Sequence, residues 1–374
     1  MNSEKQNSIW KKLCQRTGAV VAMCFIGLTI LIALFAYKLA PDSSPNANRM
    51  IVELGAKRPG FSMQLLLVPK QELNKEDNFL QGLIDGVTDQ FNYVPINNYE
   101  FRNDSLLITH FIDDGLQDTI SFSLATLLPP SESNKSLAEQ RNYLQKKQIK
   151  QHTFYLGSDR YGRDILSRLL IGARVSIGVG LVAVLLSLSI GVFLGAIAGY
   201  FGGITDRIVM FVVNIFWSVP TLLLVFALTL TLGKGFWEIF IAIGLTMWVG
   251  AARLIRGQVL VLREMDYVIA AKAIGAGSVR IIVKHILPNI AGPIIVVAAG
   301  NFAAAILIEA GLSFLGIGIQ PPQPSWGLMI KEHYNFLVTN QPLAAIIPGL
   351  AIMLLVYSFN ILGNALRDVL DVRQ

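Results

Sequence analysis

The sequence has few charged residues and very few cysteines, and each shortage excludes a class of protein. Only 15% of its 374 residues are charged, whereas 53% are hydrophobic. Soluble domains carry about a quarter charged residues, so this composition indicates a membrane protein. The two cysteines, Cys14 and Cys24, lie before and within the first apolar run. No disulfide framework can therefore form in the long polar segment that follows that run.

Motifs for catalysis, metal binding and nucleotide binding are also missing. The histidines are far apart and lack ligand spacing, at His110, His152, His285 and His333. They predict neither a metal site nor a Ser-His-Asp arrangement. The nearest approach to a phosphate-binding loop, Gly233-Lys234-Gly235, lacks the upstream glycine and the hydroxyl residue of that motif. We therefore predict that the chain is not an enzyme and binds no cofactor of its own.

The surplus of positive charge is modest and unevenly placed. The formal net charge is +6, and the cations cluster at the ends of apolar runs. Cations in such positions act as membrane-topology signals. We therefore expect membrane lipid, and not nucleic acid, as a partner.

The first apolar run predicts a membrane anchor. Residues 18–37 carry no charge, and a helix of that length crosses about 30 Å of hydrocarbon. The alternative is a signal peptide, but the run is longer than a signal core, and Lys38 stands where a small residue would precede a cut after Ala40. We predict a cytoplasmic segment at 1–17 and an uncleaved transmembrane helix at 18–40.

Residues 41–155 form a polar insertion with a different character. Three stretches bounded by turn residues predict strands, at Met63–Pro69, Ser105–Ile112 and Thr119–Pro129. Residues 131–150 predict a solvated helix or linker. We expect a small extracytoplasmic domain of β or mixed α/β structure, whose function the sequence does not indicate.

Residues 156–370 predict a helical membrane core. Five further apolar segments follow, at Val175–Tyr200, Arg207–Leu232, Trp237–Ala252, Asn289–Leu315 and Leu343–Leu362. With the anchor they predict an all-α polytopic fold of six transmembrane helices. The loop at 253–289 is rich in cations, as is the N-terminus, so the positive-inside rule places this loop and both termini in the cytoplasm. Four arginines before the second span oppose this orientation, namely Arg160, Arg163, Arg168 and Arg174.

The polar loop contains a short amphipathic pattern that favours docking to another protein. The stripe follows i, i+3, i+4, i+7 spacing, at Tyr267, Ala270, Ala271 and Ile274. Its alanines allow another backbone to approach closely, and Gly275 can end the helix in a left-handed turn. An ordinary amphipathic loop helix is the alternative.

These residues resemble a known signature. Ala270-Ala271, Gly275 and Leu287-Pro288 are similar to the "EAA" loop of ATP-binding-cassette (ABC) importer permeases, although Ile269 replaces its usual glutamate. In that family the loop is a cytoplasmic coupling helix seated in a groove of the ATPase. The resemblance therefore implies that these residues and the loop at 253–289 couple the chain to partner ATPases.

A second block, Leu156 to Ser176, resembles the segment before the second membrane helix of peptide and nickel permeases. The matching positions are Gly157, Asp159, Gly162, Arg163, Asp164, Ser167, Arg168, Gly172, Arg174 and Ser176. Ser158 replaces a threonine of the pattern. An interfacial helix with arginines facing lipid headgroups is a further interpretation, compatible with the first.

Three residues of the apolar segments are candidates for the transport path or its gating. Glu309 lies inside an apolar run, and an intramembrane carboxylate is a functional hypothesis by default. The family commonly has a glutamate there, which favours a structural or gating role over proton coupling. Asn214 stands where the family usually has aspartate, and Pro220 predicts a kink in its helix.

Together, the resemblance implies an inner-membrane permease of the dipeptide/oligopeptide/nickel group, of the second (C-type) kind. It implies alternating access together with a homologous permease, two ATPases that bind ATP and Mg²⁺, and an extracytoplasmic binding protein. The resemblance does not extend to the insertion at 41–155, and our own hypothesis is that this insertion docks the binding protein or the partner permease. Two alternatives stay open: a proton- or ion-coupled secondary transporter that uses Glu309, and a membrane-anchored sensor or scaffold that uses the 41–155 domain.

Overall fold

Fourteen labelled helices account for most of the chain. The computed structural model describes residues 10–70, 79–129, 131–233, 235–338 and 341–370, so part of the predicted N-terminal segment 1–17 lies outside the described residues. In the first half, the helices are α1 (Thr17–Leu34), α2 (Ala36–Leu39), α3 (Phe79–Ile84), α4 (Leu124–Leu127), α5 (Leu137–Tyr143) and α6 (Ile165–Phe201). In the second half they are α7 (Gly203–Trp217), α8 (Thr221–Leu232), α9 (Phe236–Leu262), α10 (Asp266–Ala273), α11 (Ser278–Ile281), α12 (Ala291–Phe314), α13 (Trp326–His333) and α14 (Leu343–Leu370).

Five of the described helical stretches are long and apolar enough to cross a membrane. They are α1, α6, α9, the stretch Ser278–Phe314 and α14. Helices α7 and α8 pass the same test only as a pair, and they are bent by 91° around Pro220. The predicted helical fold is confirmed, whereas the count of six depends on this bent pair. Helix α6 begins ten residues before the predicted Val175, and α9 continues ten residues beyond Ala252.

Helices α6 and α9 run parallel and pack through small residues. A Cβ added at Gly191 would lie 2.6 Å from the Cβ of Ala251, and one at Gly199 would lie 2.8 Å from the Cβ of Val259. Residues later in α6 therefore contact residues later in α9, which shows that the two helices point in the same direction. Such close contacts between small residues are typical of membrane helix pairs, because the backbones can approach closely.

Helices α12 and α14 pack antiparallel to each other, because Gly292 at the start of α12 lies against Leu370 at the end of α14, whereas Gly363 of α14 lies against Ala299 further along α12. The rings of Phe302 on α12 and Phe359 on α14 stack at 4.1 Å. Arg16, just before α1, forms a salt bridge of 2.5 Å with Asp368 near the end of α14. The start of α1 and the end of α14 therefore lie at the same end of the helical bundle.

The insertion is built around one antiparallel sheet of five strands in the order β4-β3-β2-β1-β5. The strands are β1 (Phe61–Pro69), β2 (Phe91–Arg102), β3 (Ser105–Asp113), β4 (Leu116–Ser123) and β5 (Ile149–Phe154). Leu124, Leu127 and Leu144 pack against Leu66 and its neighbours in one apolar cluster. Ile51 and Leu54 belong to a second cluster, with Leu65 and Leu67. Because alternate residues of a strand point to opposite faces, the sheet is covered on both sides.

The strand predictions are partly correct. β1 and β3 match their predicted ranges closely, whereas the stretch Thr119–Pro129 is a strand only to Ser123 and then turns into α4. Residues 131–150 contain α5 and a helical turn at Leu144–Gln148 that leads into β5. β2 and β5 were not predicted, because their sequences mix polar and apolar residues without clear alternation.

Candidate functional site

The block before α6 folds as a tight loop that requires its glycines. Gly157 and Gly162 have φ angles of +83° and +72°. A Cβ at Gly157 would lie 2.5 Å from the carbonyl oxygen of Lys57. Asp164 caps α6, since its side chain accepts a hydrogen bond of 2.7 Å from the backbone N–H of Ser167. The backbone N–H of Asp42 donates to the hydroxyl of Ser167 at 2.9 Å, so the loop ties the end of the first span to α6.

Four charged residues of this region form a buried ion cluster. The Nε of Arg163 lies 2.5 Å from a carboxylate oxygen of Asp159. Arg163 and Arg168 each donate to Oε2 of Glu332, at 3.1 Å. The cluster holds two carboxylates and two guanidiniums, so its charge is balanced inside the protein, as a buried ion group requires.

The interpretation of these arginines as headgroup-facing is wrong for Arg163 and Arg168. Their side chains are 2% and 0% exposed, and Glu332, near the end of α13, accepts hydrogen bonds from both of them. Arg174 is also bound within the chain, to the carbonyl oxygen of Ile84 at 2.6 Å. Three of the four cations that oppose the predicted orientation are therefore held by the protein's own acceptors.

His333 lies beside this ion cluster. Asp159, Glu332 and His333 bring ligand atoms within 4.8 Å of one another, a grouping that could hold a metal ion. Both carboxylates already accept from arginines, and a divalent cation would add uncompensated charge to a buried, balanced cluster, so we assign no metal site. Both ring nitrogens of His333 are buried without a hydrogen-bond partner among the described residues. Burial lowers the pKa of His333; the nearby carboxylates of Asp159 and Glu332 oppose this shift, and Arg168 and Arg163 favour it.

Glu309 is buried five residues before the end of α12. Its Oε1 accepts from the hydroxyl of Ser313 at 2.6 Å, and that hydroxyl accepts from the backbone N–H of Ile319 at 3.0 Å. Gly327 packs so closely on α12 that an added Cβ would lie 2.5 Å from the Cα of Ala310. These contacts fasten the loop after α12 to its helix. The geometry favours a structural role for Glu309, and its predicted gating role stays a prediction.

Asn214 and Pro220 lie on the two sides of the break between α7 and α8. The Asn214 side-chain oxygen accepts from Nη2 of Arg253 on α9 at 3.0 Å. The Arg253 guanidinium also lies 4.1 Å from the centre of the Trp217 ring. Pro220 borders a cavity of about 470 Å³, which is also lined by Trp217, Thr246 and Asn301. The kink predicted from Pro220 is thus a complete break with a cavity beside it.

The predicted docking stripe divides into an exposed part and a buried part. Tyr267 and Ile274 are 42% and 86% exposed, and Ala270 is exposed between them. Ala271 is only 7% exposed, because it packs with Val268 against Ile286 and other residues that lead into α12. Ala271 therefore cannot contact another protein directly, which corrects its predicted place on the docking face.

The turn residues of this loop carry out two local tasks. Gly275 ends α10 with a φ of +83°, and its N–H donates to the carbonyl of Lys272 at 3.0 Å. Leu287 and Pro288 begin a helical turn, Leu287–Ile290, that continues into α12. The loop thus joins α9 and α12 through short, closely connected elements.

Comparison with known proteins identifies the family. The model of the binding-protein-dependent transport system inner membrane component matches residues 191–374, and that of the N-terminal TM domain of oligopeptide transport permease C matches residues 7–52. The oligopeptide transport system permease protein OppC of Bacillus subtilis is 43% identical over 222 residues, which cover 59% of this chain and 72% of that protein. The chain therefore belongs to the family of binding-protein-dependent transport system inner membrane components.

Other relatives differ in the cargo that their names give. The glutathione transport system permease protein GsiD of Pectobacterium atrosepticum is 41% identical, with 58% of the permease and 72% of that protein covered. The nickel transport system permease protein NikC of Escherichia coli K12 is 40% identical, and the match covers 58% of this chain and 78% of NikC. The permease is therefore a multi-pass inner-membrane subunit of an ABC importer, and the family works with an ATPase and a substrate-binding protein.

Proposed function

We propose that this permease is one of two homologous permease subunits that enclose the path of a peptide importer. The names of its relatives support peptides as cargo, since they include oligopeptide, dipeptide and glutathione permeases, with nickel as the exception. In this proposal ATP and Mg²⁺ bind to the two partner ATPases. The permease itself supplies the path and the contact through which the ATPases act.

The helix directions support six crossings with both termini in the cytoplasm. Because α6 and α9 are parallel, the α7–α8 pair must carry the chain from the end of α6 back to the start of α9. Asp206 and Asn214 of α7 contact Arg256 and Arg253 of α9 in that antiparallel order. Arg263 after α9 donates to the carbonyl of Gly199 at the end of α6, at 3.1 Å. The basic loop then lies at the same end as both termini, in accordance with the positive-inside rule.

The observation that carries the coupling proposal is an apolar surface left exposed on the loop. We call Tyr267, Ala270 and Ile274 the docking face. A contiguous group of exposed apolar side chains with polar residues around it marks a protein interaction site, whereas a single exposed apolar side chain does not. Behind this face, Val268 and Ala271 pack against residues that lead into α12. A displacement of α10 by the ATPases would therefore be transmitted to α12 through these packed side chains. Alternating access would follow from the movement of these helices.

The test is recovery of the ATPases with the permease solubilised from its native membrane in mild detergent. We expect both ATPases to accompany the wild type and an Ala270→Ser variant. Ala270→Glu places a charge at the centre of the docking face and should abolish or strongly weaken the recovery. If no ATPase accompanies the wild type under conditions that keep known importers intact, the proposed coupling is wrong, and uptake driven by a proton gradient should be measured instead.

We also propose that the sheet of the insertion docks the substrate-binding protein. Phe61 and Phe154 are paired at the ends of β1 and β5, so residues 62–153 can be replaced by an Asn-Gly turn that joins adjacent positions. The shortened permease should still recover its ATPases, but the binding protein should no longer stimulate ATP hydrolysis. Full stimulation in the shortened complex would contradict this role of the sheet.

A further inference from the structure

The cavity at the α7–α8 break lies near the middle of the membrane helices and is partly polar. Thr246 on α9 and Asn301 on α12 line it, together with Trp217 and Pro220. Asn301 donates to the hydroxyl of Ser187 on α6 at 3.1 Å, which fixes its amide. A volume of about 470 Å³ is within the range of sites for small ligands. The break in the helix also frees backbone groups, which are tolerated where they line a cavity.

Arg253 lies beside this cavity in the second half of α9, because its guanidinium packs on Trp217, which lines the cavity. It is four residues beyond Val249, the middle residue of α9, which is about 6 Å along the helix axis. Ionisable residues at such depth face the bundle interior or a water-filled cavity, because exposure to lipid is costly. The guanidinium covers Trp217, which lines the cavity, and bonds to Asn214. Asn214 and Trp217 are both exposed in the isolated chain, so the guanidinium lies on a face beside the cavity that a ligand can reach.

Arg253 has no counter-charge among the described residues. Its neighbour Arg256, one turn further along α9, pairs with Asp206 through two hydrogen bonds, one of them 2.6 Å long. Arg253 instead bonds to the neutral amide of Asn214, and its Nε is buried without a partner in the described part of the chain. A cation inside a membrane span is normally paired, so this arrangement is incomplete in the isolated chain.

We infer that Arg253 binds the C-terminal carboxylate of a peptide as the peptide passes the cavity, an inference that rests on the proposed peptide import. A guanidinium recognises a carboxylate through directional, charge-assisted hydrogen bonds. The stacking on Trp217 and the hydrogen bond that Arg253 donates to Asn214 hold the guanidinium in place before the ligand arrives, which reduces the entropic cost of binding. The carboxylate supplies the charge that the chain lacks, and the binding stays reversible because no protein carboxylate is displaced.

The test compares two peptides in the complete transporter, reconstituted with its ATPases, partner permease and binding protein. The probes are trialanine and trialanine amide, and the readout is the ratio of their initial uptake rates. Because every variant uses the same binding protein, the change in this ratio reports on the permease alone. We expect Arg253→Gln to lower the acid-to-amide ratio about tenfold or more, since it removes a charge-assisted hydrogen bond.

Two further variants make the result independent of folding defects. Asn214→Asp is nearly isosteric and gives Arg253 an internal carboxylate, so it should lower the ratio in the same direction. Arg207→Gln is the matched control, because Arg207 is exposed on α7 and bonds only weakly to its own helix, at 3.4 Å from the Gly203 carbonyl. Its ratio should equal that of the wild type.

Each remaining outcome overturns the inference in a distinguishable way. An unchanged ratio in Arg253→Gln and Asn214→Asp, with uptake retained, excludes carboxylate binding while peptide import stands. Loss of the partner permease from the Arg253→Gln complex on size exclusion would assign the missing carboxylate to that partner. If the wild type recovers its ATPases but takes up neither peptide, the peptide cargo itself is wrong, and the inference fails with it.

Discussion

Gly162 lies against Ile51 so closely that no other residue fits at its position. An added Cβ would be 1.7 Å from the carbonyl oxygen of Ile51, and the φ of Gly162 is +72°. Ile51 belongs to the turn that covers the sheet, and Gly162 belongs to the loop that leads into α6. This one contact therefore joins the sheet of the insertion to the helical core.

We expect Gly162→Ala to destabilise the permease by about 3 kcal/mol or more, because the backbone of Ile51 cannot move away without disturbing both units. Gly60→Ala is the matched control, since Gly60 has a φ of +82° but nothing within 4 Å of an added Cβ. It should cost only the conformational strain, about 1–2 kcal/mol. The destabilisation of each variant is measured as the decrease in apparent melting temperature in detergent. Equal decreases for Gly162→Ala and Gly60→Ala would contradict the steric explanation.

Glu332 neutralises two arginines, so its removal should leave uncompensated buried charge. We expect Glu332→Gln to lower the free energy of unfolding by about 3–5 kcal/mol, as the loss of one partner of a buried ion group does. Adding Arg168→Met restores the charge balance, because Arg163 still pairs with Asp159. The double variant should therefore be more stable than Glu332→Gln alone in denaturation experiments. A double variant that is less stable would show that packing, and not charge, sets the cost.

The stability of the permease should fall as the pH falls below about 6.5, the usual pKa of an unfolded histidine. Burial lowers the pKa of His333 in the folded state, so the unfolded chain binds more protons in this range and unfolding becomes easier. We expect the melting temperature to drop between about pH 7.5 and about pH 5.5, and to drop less in His333→Gln. Burial also lowers the pKa of His152, so part of the slope should remain. An identical slope in the variant would exclude His333 as a contributor.

The sequence predicts the elements of this fold better than their contacts. Apolar run length identifies α1, α6 and α14, because a span must match the hydrocarbon thickness. Pro220 indicates the break between α7 and α8. The ends of α6 and α9 were placed too far inwards, because polar residues such as Arg168 and Arg256 are satisfied within the protein and let the helix continue.

For the site residues too, the sequence predicts their positions in the elements better than their contacts. The spacing of the loop pattern identifies Tyr267, Ala270 and Ile274, which are exposed, but it cannot tell which alanine faces the core. The ion partners Glu332 and Arg163 are far apart in the sequence, and so are Asn214 and Arg253. Their pairing depends on how whole helices pack, and no local pattern contains that information.

The two adjacent alanines of α10 allow a direct test of which side chain faces the core and which is exposed. Ala271 packs in an apolar cluster, so Ala271→Glu buries an unpaired carboxylate and should lower the melting temperature of the permease. Ala270 is exposed, so Ala270→Glu should leave the melting temperature unchanged and reduce only ATPase recovery. Ala271→Ser, which keeps the side chain small, should have a modest effect on stability and none on recovery. If Ala271→Glu leaves stability intact and prevents ATPase binding as Ala270→Glu does, both alanines face the ATPase, and the helix is rotated relative to the packing described above.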